Sequence, residues 1–437
     1  MRDLFVGIVV FGFLPYALMR PYIGLYLYSW ISYMNPHRLA FGWAFTFPWA
    51  YVIALTTLAG ILFWKEPKRM PWTRELTVLS LFIFWMLVTT VFALYPDLAQ
   101  EQLVKIFKIQ LMIFITPLVI NTKERLRGLM WVIVASLGFF GVKGGVFTIL
   151  KGGVNHVLGP EGSFIAGNNE LALALLMTIP LMRYLQLTEP KRWIRNGLGV
   201  SMILTGLSVV GSQSRGALIG GLAIMLFLWL KSRQKLMTSL LLIVAVGLIA
   251  MVMPQEWYDR MNTIQDYQQD GSAQGRINAW WTAWNVAVSR PLGGGLEMFQ
   301  PPTFQVYAPN PDMVFYAHSI YFQVLGEHGF VGLFLFLLLG FLAWRTGSWV
   351  IRAVKKSPEH KWAADLAAMA QVSLIGYAAA GAFLGLAYFD LPYHLVIILL
   401  LCKTLVQKEL GGRVPKHRGF RMRLGGASTT RTRAPEN

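Results

Sequence analysis

The run Leu76–Val91, with the sequence LTVLSLFIFWMLVTTV, contains no charged side chain. Leu218–Leu230 (LIGGLAIMLFLWL) and Val331–Leu342 (VGLFLFLLLGFL) share this property. An α-helix needs about 20 predominantly apolar residues to cross a bilayer core roughly 30 Å thick. Because runs of this kind recur along the chain, the sequence predicts an integral membrane protein with many helical spans.

The overall composition supports the same interpretation. Hydrophobic residues make up 55% of the chain and charged residues only 14%, and the mean hydropathy is +0.50. Soluble domains carry roughly 25% charged residues, so this chain lacks the polar surface that water on all sides would require. A soluble globular protein is therefore excluded. The single cysteine, Cys402, excludes an intrachain disulfide and a cysteine-based metal site.

The net charge of +18 is spread over short clusters between the apolar runs. Clusters of this kind indicate membrane topology rather than nucleic-acid binding, because cytoplasmic loops of membrane proteins are rich in Lys and Arg. Six basic segments are predicted to be cytoplasmic: residues 65–74, 123–127, 191–195, 231–235, 345–361 and 403–433. The alternate connections are poorer in basic residues and are predicted to lie outside: residues 95–102, 152–167, 212–214, 254–317 and 389–392.

The predicted fold is an all-α polytopic membrane protein with about 12 transmembrane helices. Beyond the N-terminal segment, spans are predicted at residues 46–64, 73–94, 98–120, 124–150, 168–187, 194–212, 214–231, 234–253, 318–345, 363–388 and 391–408. Pro15 and Pro21 interrupt the first 34 residues, and proline kinks or breaks a helix. One broken span with a cytoplasmic N-terminus is preferred over two short spans, because Arg2 lies at its first end.

Four regions follow from this pattern. Residues 1–253 hold spans 1–9, residues 254–317 form a long outer loop, residues 318–410 hold spans 10–12, and residues 411–437 form a basic, disordered cytoplasmic tail. Within the loop, residues 275–289 have apolar positions at helical spacing, which predicts an interfacial helix. Arg290-Pro291 should end this helix, and Gly293–Gly295 should form a turn. Structured loops of this length usually carry function.

Two arginines on the predicted outer side are candidates for an anion site. Arg215 lies where two apolar runs meet, against the positive-inside bias, and charges near membrane depth tend to mark functional sites. Arg276 is predicted to open the loop helix, where its planar donors and the helix start would both favour phosphate oxygens. The alternatives are an Arg215 that reaches lipid headgroups and an Arg276 that is merely solvated.

His318 is the candidate proton acceptor, because it lies where the long loop re-enters the membrane and histidine titrates near neutral pH. A structural histidine at a helix start is the alternative. Asp390 and His394 are a weaker candidate for a proton relay. No metal site is predicted, since His318 and His328 do not have ligand spacing and no acidic motif suits Mg²⁺.

Several motifs occur in an order that resembles the O-antigen ligase and O-antigen polymerase superfamily. They are Ser214-Arg-Gly216, Arg276 with Trp280, Ser289-Arg-Pro-Leu-Gly-Gly-Gly295, and Ala317-His-Ser319 followed by Glu327-x-Gly329. The segments 159–164 and 168–172 are similar to the branch of exosortase-associated O-glycosylation ligases. The resemblance covers most of residues 40–410 and implies a GT-C-like fold with short helices in the loop between spans 9 and 10.

The resemblance also implies a function, an O-antigen ligase of lipopolysaccharide assembly. Such an enzyme moves a glycan from undecaprenyl pyrophosphate to a sugar of lipid A–core, with inversion and without metal or cofactor. It works at the periplasmic face of the bacterial inner membrane, with membrane lipids around it and no nucleic-acid partner. Arg215 and Arg276 would bind the donor pyrophosphate, and His318 would act at the acceptor hydroxyl. The secondary candidates for the site are Arg290, Arg260, Asn169, Gln213, Tyr321 and Glu327.

The sequence leaves four alternative functions open. An O-antigen polymerase and a protein O-oligosaccharyltransferase would use the same donor and the same His and Arg pattern. A lipid-linked sugar transporter should instead place ionisable residues near the midplane of broken helices, often with repeat symmetry. The sequence shows no such repeat, which favours an enzyme over a transporter or a non-catalytic scaffold.

Overall fold

The computed structural model describes residues 1–231, 235–236, 247, 254–255, 257–258 and 271–410. Arg260, most of the predicted span at 234–253 and the predicted tail at 411–437 lie outside the described residues. Within the described part, the regular elements are helices and no strand occurs. The structure thus confirms the predicted all-α fold class.

We number the α-helices in chain order. They are α1 (Arg2–Met19), α2 (Pro21–Met34), α3 (Trp43–Thr46), α4 (Trp49–Phe63), α5 (Arg74–Val91), α6 (Pro96–Val119), α7 (Lys123–Leu150), α8 (Asn168–Thr188), α9 (Arg192–Gly211), α10 (Arg215–Lys231), α11 (Gly271–Ser289), α12 (Pro301–Tyr307), α13 (Ile320–Ala353), α14 (Lys361–Ala380) and α15 (Asp390–Glu409). Short 3-10 helices cover Pro36–Leu39 and Pro358–His360. In this described part, nine helical segments are long and apolar enough to cross a membrane, and α4 and α10 are shorter apolar helices.

Helices α15 and α8 lie at the centre of the bundle, with 83% and 72% of their most apolar windows buried inside the protein. The corresponding share for α1 is 22%. An apolar helix that is exposed on most of its surface must face lipid, because water would not solvate it. The protein is therefore a multi-pass membrane protein, with α1 at its lipid-facing edge.

The N-terminal segment differs from the prediction of one broken span. The chain forms two helices that meet at Arg20 and Pro21, since proline fits the first turn of a helix better than its interior. Arg2 donates a hydrogen bond to the Leu39 carbonyl at 3.0 Å, just beyond the far end of α2. The α1 start and the α2 end therefore lie at the same end of the bundle.

That end of the bundle is also where α15 begins. Ser32 of α2 donates to the Asp390 carboxylate at 2.5 Å, and the Tyr33 hydroxyl lies 2.6 Å from Nδ1 of His394. These hydrogen bonds place Asp390 and His394 in a buried contact between helices. The N-terminus and the α15 C-terminus thus lie at opposite ends of the bundle, whereas the preferred sequence interpretation put both in the cytoplasm.

The predicted span at 363–388 is too long at its C-terminal end. Helix α14 ends at Ala380, and residues 381–389 form an irregular segment in spite of their apolar composition. The helix ends there because the N–H and the carbonyl of Gly381 bond to different helices. Its N–H closes α14 on the Tyr377 carbonyl, while its own carbonyl accepts from Ile320 N at 2.8 Å and so caps α13.

Helices α11 and α12 form a separate layer over this end of the bundle. They share a small apolar core that includes Ala283, Met298, Phe304 and Ala317. The predicted loop helix is confirmed and ends at Ser289, directly before Arg290-Pro291. Its described part extends back to Gly271, so Arg276 lies more than one turn inside the helix rather than at its start. The free N–H groups of a helix start therefore do not assist Arg276.

The layer is anchored where α13 breaks, at Gly329. Gly329 has φ 64° and ψ −170°, which only glycine adopts readily and which frees carbonyl groups of the preceding turn. Donors from outside the helix bind those carbonyls: Gly294 N to Gly326 O at 2.8 Å, Gly295 N to Glu327 O at 2.9 Å, and Trp85 Nε1 to His328 O at 2.8 Å. Buried backbone groups at membrane depth need such partners. The predicted turn at Gly293–Gly295 thus supplies backbone donors to the carbonyls that the break in α13 leaves without helical partners.

Candidate active site

His318 lies in the short segment that joins the α11–α12 layer to α13. Its backbone has a positive φ of 41°, which is uncommon for a residue other than glycine. The flanking residues hold this conformation, because Trp280 Nε1 donates to Ala317 O at 2.7 Å and Ile320 N donates to Gly381 O. A strained backbone that its surroundings fix in this way is typical of functional sites.

Glu170 and Arg276 are the charged neighbours of the His318 imidazole. His318 Nδ1 lies 4.0 Å from Oε1 of Glu170, in the first turn of α8. Burial, and then the positive charge of Arg276, lower the pKa of His318 to about 4. The charge of Arg276 acts on Glu170 as well. At neutral pH the imidazole is therefore uncharged and able to accept a proton, beside a cation and a carboxyl group.

Arg215 is the first residue of α10 and is half-buried. The turn before it is tied to α8, because Asn168 Nδ2 donates to Ser212 O at 2.8 Å. The next residue, Gly216, packs against Phe383 and Leu384, and a Cβ placed on Gly385 would lie 3.7 Å from the His318 Cα. Arg215 and His318 therefore border the same irregular segment, residues 381–389.

Among the secondary candidates, Gln213 and Arg290 make hydrogen bonds to backbone carbonyls of the surrounding loops. Gln213 is buried and donates from Nε2 to Gly153 O and Val154 O, both at 3.0 Å. Arg290 donates from Nη2 to Phe92 O at 3.0 Å and from Nε to Gly293 O at 3.2 Å. These contacts hold loops together.

Glu327 lies in a buried polar network on α13, the helix that follows His318. Its carboxylate accepts from the Tyr388 hydroxyl and from Glu297 N, the latter at 3.3 Å. Tyr321 turns away from His318, because its hydroxyl donates to Ala378 O and its ring lines an apolar cavity between α13, α14 and α15. Asn169 lies in the first turn of α8, beside Glu170.

Glu170 is the site residue that the sequence reasoning missed. The segment 168–172 contains Glu170, but the sequence reasoning selects the neighbouring Asn169. An acidic residue in the first turn of an apolar helix is a usable signal, because carboxylates at membrane depth need a partner. The sequence did not show that His318, far along the chain, lies beside this carboxylate.

Residues 200–337 match a family model described as O-antigen ligase. Over these residues, about a third of the chain, the protein is similar to the O-antigen ligase family. The match confirms the resemblance to the O-antigen ligase superfamily and implies a membrane glycosyltransferase or ligase activity. Residues 1–189 match a second model, described as a family of unknown function. No curated protein matches the chain.

The region that matches the O-antigen ligase model includes Arg215, Arg276 and His318, the three residues that the sequence singled out. Glu170 belongs to the other matched region. The contact between Glu170 and His318 therefore joins the two regions at one end of the bundle.

Proposed function

We propose that the protein is an O-antigen ligase that transfers a glycan from undecaprenyl pyrophosphate to a sugar of lipid A–core. The observation that carries this proposal is the cluster of His318, Arg276 and Glu170 at the base of the α11–α12 layer, within and beside the region that matches the O-antigen ligase model. The protein would lie in the bacterial inner membrane, with this cluster facing the periplasm and the C-terminus in the cytoplasm.

Arg276 and Arg215 would bind the pyrophosphate of the donor. As the glycosidic bond breaks, negative charge develops on the leaving pyrophosphate, and fixed cations stabilise that charge without reorganisation. A guanidinium group offers paired donors that match phosphate oxygens. Arg215 is further favoured because it begins α10, where the helix dipole attracts anions.

His318 would accept the proton of the acceptor hydroxyl. The hydroxyl oxygen then bonds to the anomeric carbon, and the bond from that carbon to the pyrophosphate oxygen breaks, so that the electron pair leaves with undecaprenyl pyrophosphate. A pKa near 4 makes the free imidazole a weak base. The bound pyrophosphate would offset the Arg276 charge and raise the pKa of His318 toward the working pH, which favours proton transfer.

One reconstitution separates the ligase from the enzymes that use the same donor. Purified protein is mixed with an undecaprenyl-pyrophosphate glycan and either lipid A–core, a second glycan repeat on the carrier, or a pilin-like protein. We expect sugar on lipid A–core. Transfer to the second repeat would identify a polymerase, transfer to the protein would identify a protein O-oligosaccharyltransferase, and movement of intact donor across a bilayer without transfer would identify a transporter.

Substitutions test the assigned roles in the same assay. His318→Ala should abolish transfer while the protein still inserts, whereas near-normal transfer would reject the base. Arg276→Lys and Arg215→Lys should recover little of the activity that Ala variants lose, because lysine lacks the paired donors. Independence of metal stays a prediction, and a loss of transfer with EDTA that Mg²⁺ restores would contradict it.

A further inference from the structure

The segment between α7 and α8 contains residues 159–164, one of the sequence motifs that carry the resemblance described above. This segment has no part in the proposed chemistry. The segment is closed on itself, because Gly159 N donates to Ala166 O at 3.0 Å and Ser163 Oγ donates to Pro160 O at 2.6 Å. A Cβ on Gly159 would lie 1.7 Å from the Ile165 carbonyl oxygen, so only glycine permits this approach. We call residues 156–166 the closed loop.

A cavity of about 300 Å³ lies between the closed loop and α7. Its apolar walls come from both sides and include Phe140, Phe147 and Leu158. Lys143 and His156 supply polar groups. A mostly apolar cavity with a few polar groups is the usual form of a small-molecule site. The cavity is at the His318 end of the bundle, since the closed loop leads directly into Asn168 and Glu170 of α8.

Two cations face this region without a carboxylate partner in the described part of the chain. Lys143 is exposed although it belongs to a membrane-crossing helix, about 10 Å along the axis from the end of α7. Arg38 precedes Leu39, which lines the cavity, and it lies against the closed loop, since a Cβ on Gly162 would be 3.4 Å from its Nη1. No carboxylate of the described residues lies within ion-pair distance of either side chain.

His37, which precedes Arg38 in the chain, does not add to this positive charge. Burial, and then the charge of Arg38, lower the pKa of His37 to about 4, so His37 is neutral at neutral pH. Lys143 and Arg38 therefore provide positive charge at the end of the bundle that the positive-inside rule leaves poor in basic residues. Cations at membrane depth are costly unless an anion or water meets them.

We propose that this cavity binds the phosphate group of a phosphorylated membrane lipid, with Lys143 and Arg38 as the cations that contact it. Lysine at such a depth extends toward the phosphate level of the bilayer while its methylene groups stay in apolar surroundings. Phe140, Phe147 and Leu158 then contact the first part of an acyl chain. These apolar walls favour a lipid over free phosphate. The proposal does not depend on the glycan-transfer reaction.

The test uses the whole protein in phosphatidylcholine nanodiscs that contain a photoactivatable phosphatidic acid. We expect crosslinks in the peptides that carry Phe140–Phe147 and the closed loop. Lys143→Ala should weaken phosphatidic acid binding about fivefold, as expected for one lysine at a lipid surface, and Arg38→Ala should act similarly. Lys143→Arg should bind almost as well as the natural protein, which separates lost charge from lost folding.

Lys151 provides the matched control, because it is exposed just beyond α7 and does not line the cavity. Lys151→Ala should leave binding unchanged. Glu161→Gln should strengthen binding, since it removes the negative charge of the closed loop. Equal losses in Lys143→Ala and Lys151→Ala would overturn the proposal, because they indicate a general surface potential. Displacement of the lipid by millimolar inorganic phosphate would overturn it in favour of a free-phosphate site.

Discussion

At the scale of single residues, the local environment of His318 depends on charge and on one indole. Burial lowers the pKa of His318 most, and the positive charge of Arg276 lowers it further. Trp280 fixes the backbone beside His318 through Ala317 O, and its ring stacks on Phe322 at 5.0 Å. These two neighbours act differently, since one changes the proton affinity of the imidazole and the other changes its position.

Arg276→Gln should move the acid limb of the pH profile of kcat/KM to higher pH. The proposed reaction needs neutral His318, so activity falls as pH drops through its pKa, and removal of the nearby positive charge raises that pKa. The acid limb should stay below pH 6.5, because burial still disfavours the charged imidazole. The residual transfer activity of the variant is measured across pH. Arg345→Gln, at the other end of α13, is the control, and an equal shift there would contradict the explanation.

Trp280→Phe keeps an aromatic ring against Phe322 and removes the hydrogen bond to Ala317 O. We expect turnover to fall by about 10- to 100-fold with little change in KM for the donor, because small misplacement of a reacting group is costly. Trp281→Phe is the matched control, since Trp281 is exposed on the same helix. Equal turnover in the two variants would show that the Trp280 hydrogen bond does not position His318.

At the scale of elements, the break in α13 is a built feature of the fold. The turn Gly293–Gly295 supplies N–H groups to the carbonyls that Gly329 releases, so the α11–α12 layer and the broken helix depend on each other. A Cβ on Gly329 would lie 2.3 Å from the Pro291 carbonyl oxygen. An unbroken helix would leave the layer without its anchor.

Gly329→Ala should therefore destabilise the protein by about 1–3 kcal/mol from its backbone conformation alone, with more from the contact to Pro291. Thermal unfolding in detergent measures this loss. Gly340→Ala in the same helix meets nothing within 4 Å and should be neutral or stabilising, since alanine favours a helix interior. If Gly329→Ala unfolds at the same temperature as Gly340→Ala, the break is not required for stability.

At the scale of the whole molecule, the direction of α1 distinguishes the structure from the preferred topology. The α1 start lies at the same end as α15's start and the segment 381–389, beside which His318 lies. Lys361 and Glu409 lie at the other ends of α14 and α15. The N-terminus should therefore face the same side of the membrane as His318.

Cysteine labelling with a membrane-impermeant maleimide tests this arrangement in a Cys402→Ala background. Arg2→Cys and Asp312→Cys should react from one side of the membrane, and Glu359→Cys should react only from the other. All three positions are exposed, so lack of access does not complicate the comparison. Labelling of Arg2→Cys together with Glu359→Cys would restore the broken-span interpretation.

The sequence by itself determined the helical fold, most of the membrane spans and the end of the loop helix at Ser289. These features depend on local composition, because lipid burial and helix termination act on residues close together in the chain. Only the tertiary structure placed Glu170 beside His318, broke α13 at Gly329 and ended α14 at Ala380. Each of these features depends on partners that are distant in sequence. The apolar residues 381–389, for example, do not indicate that the Gly381 carbonyl will accept a hydrogen bond from the first residue of α13.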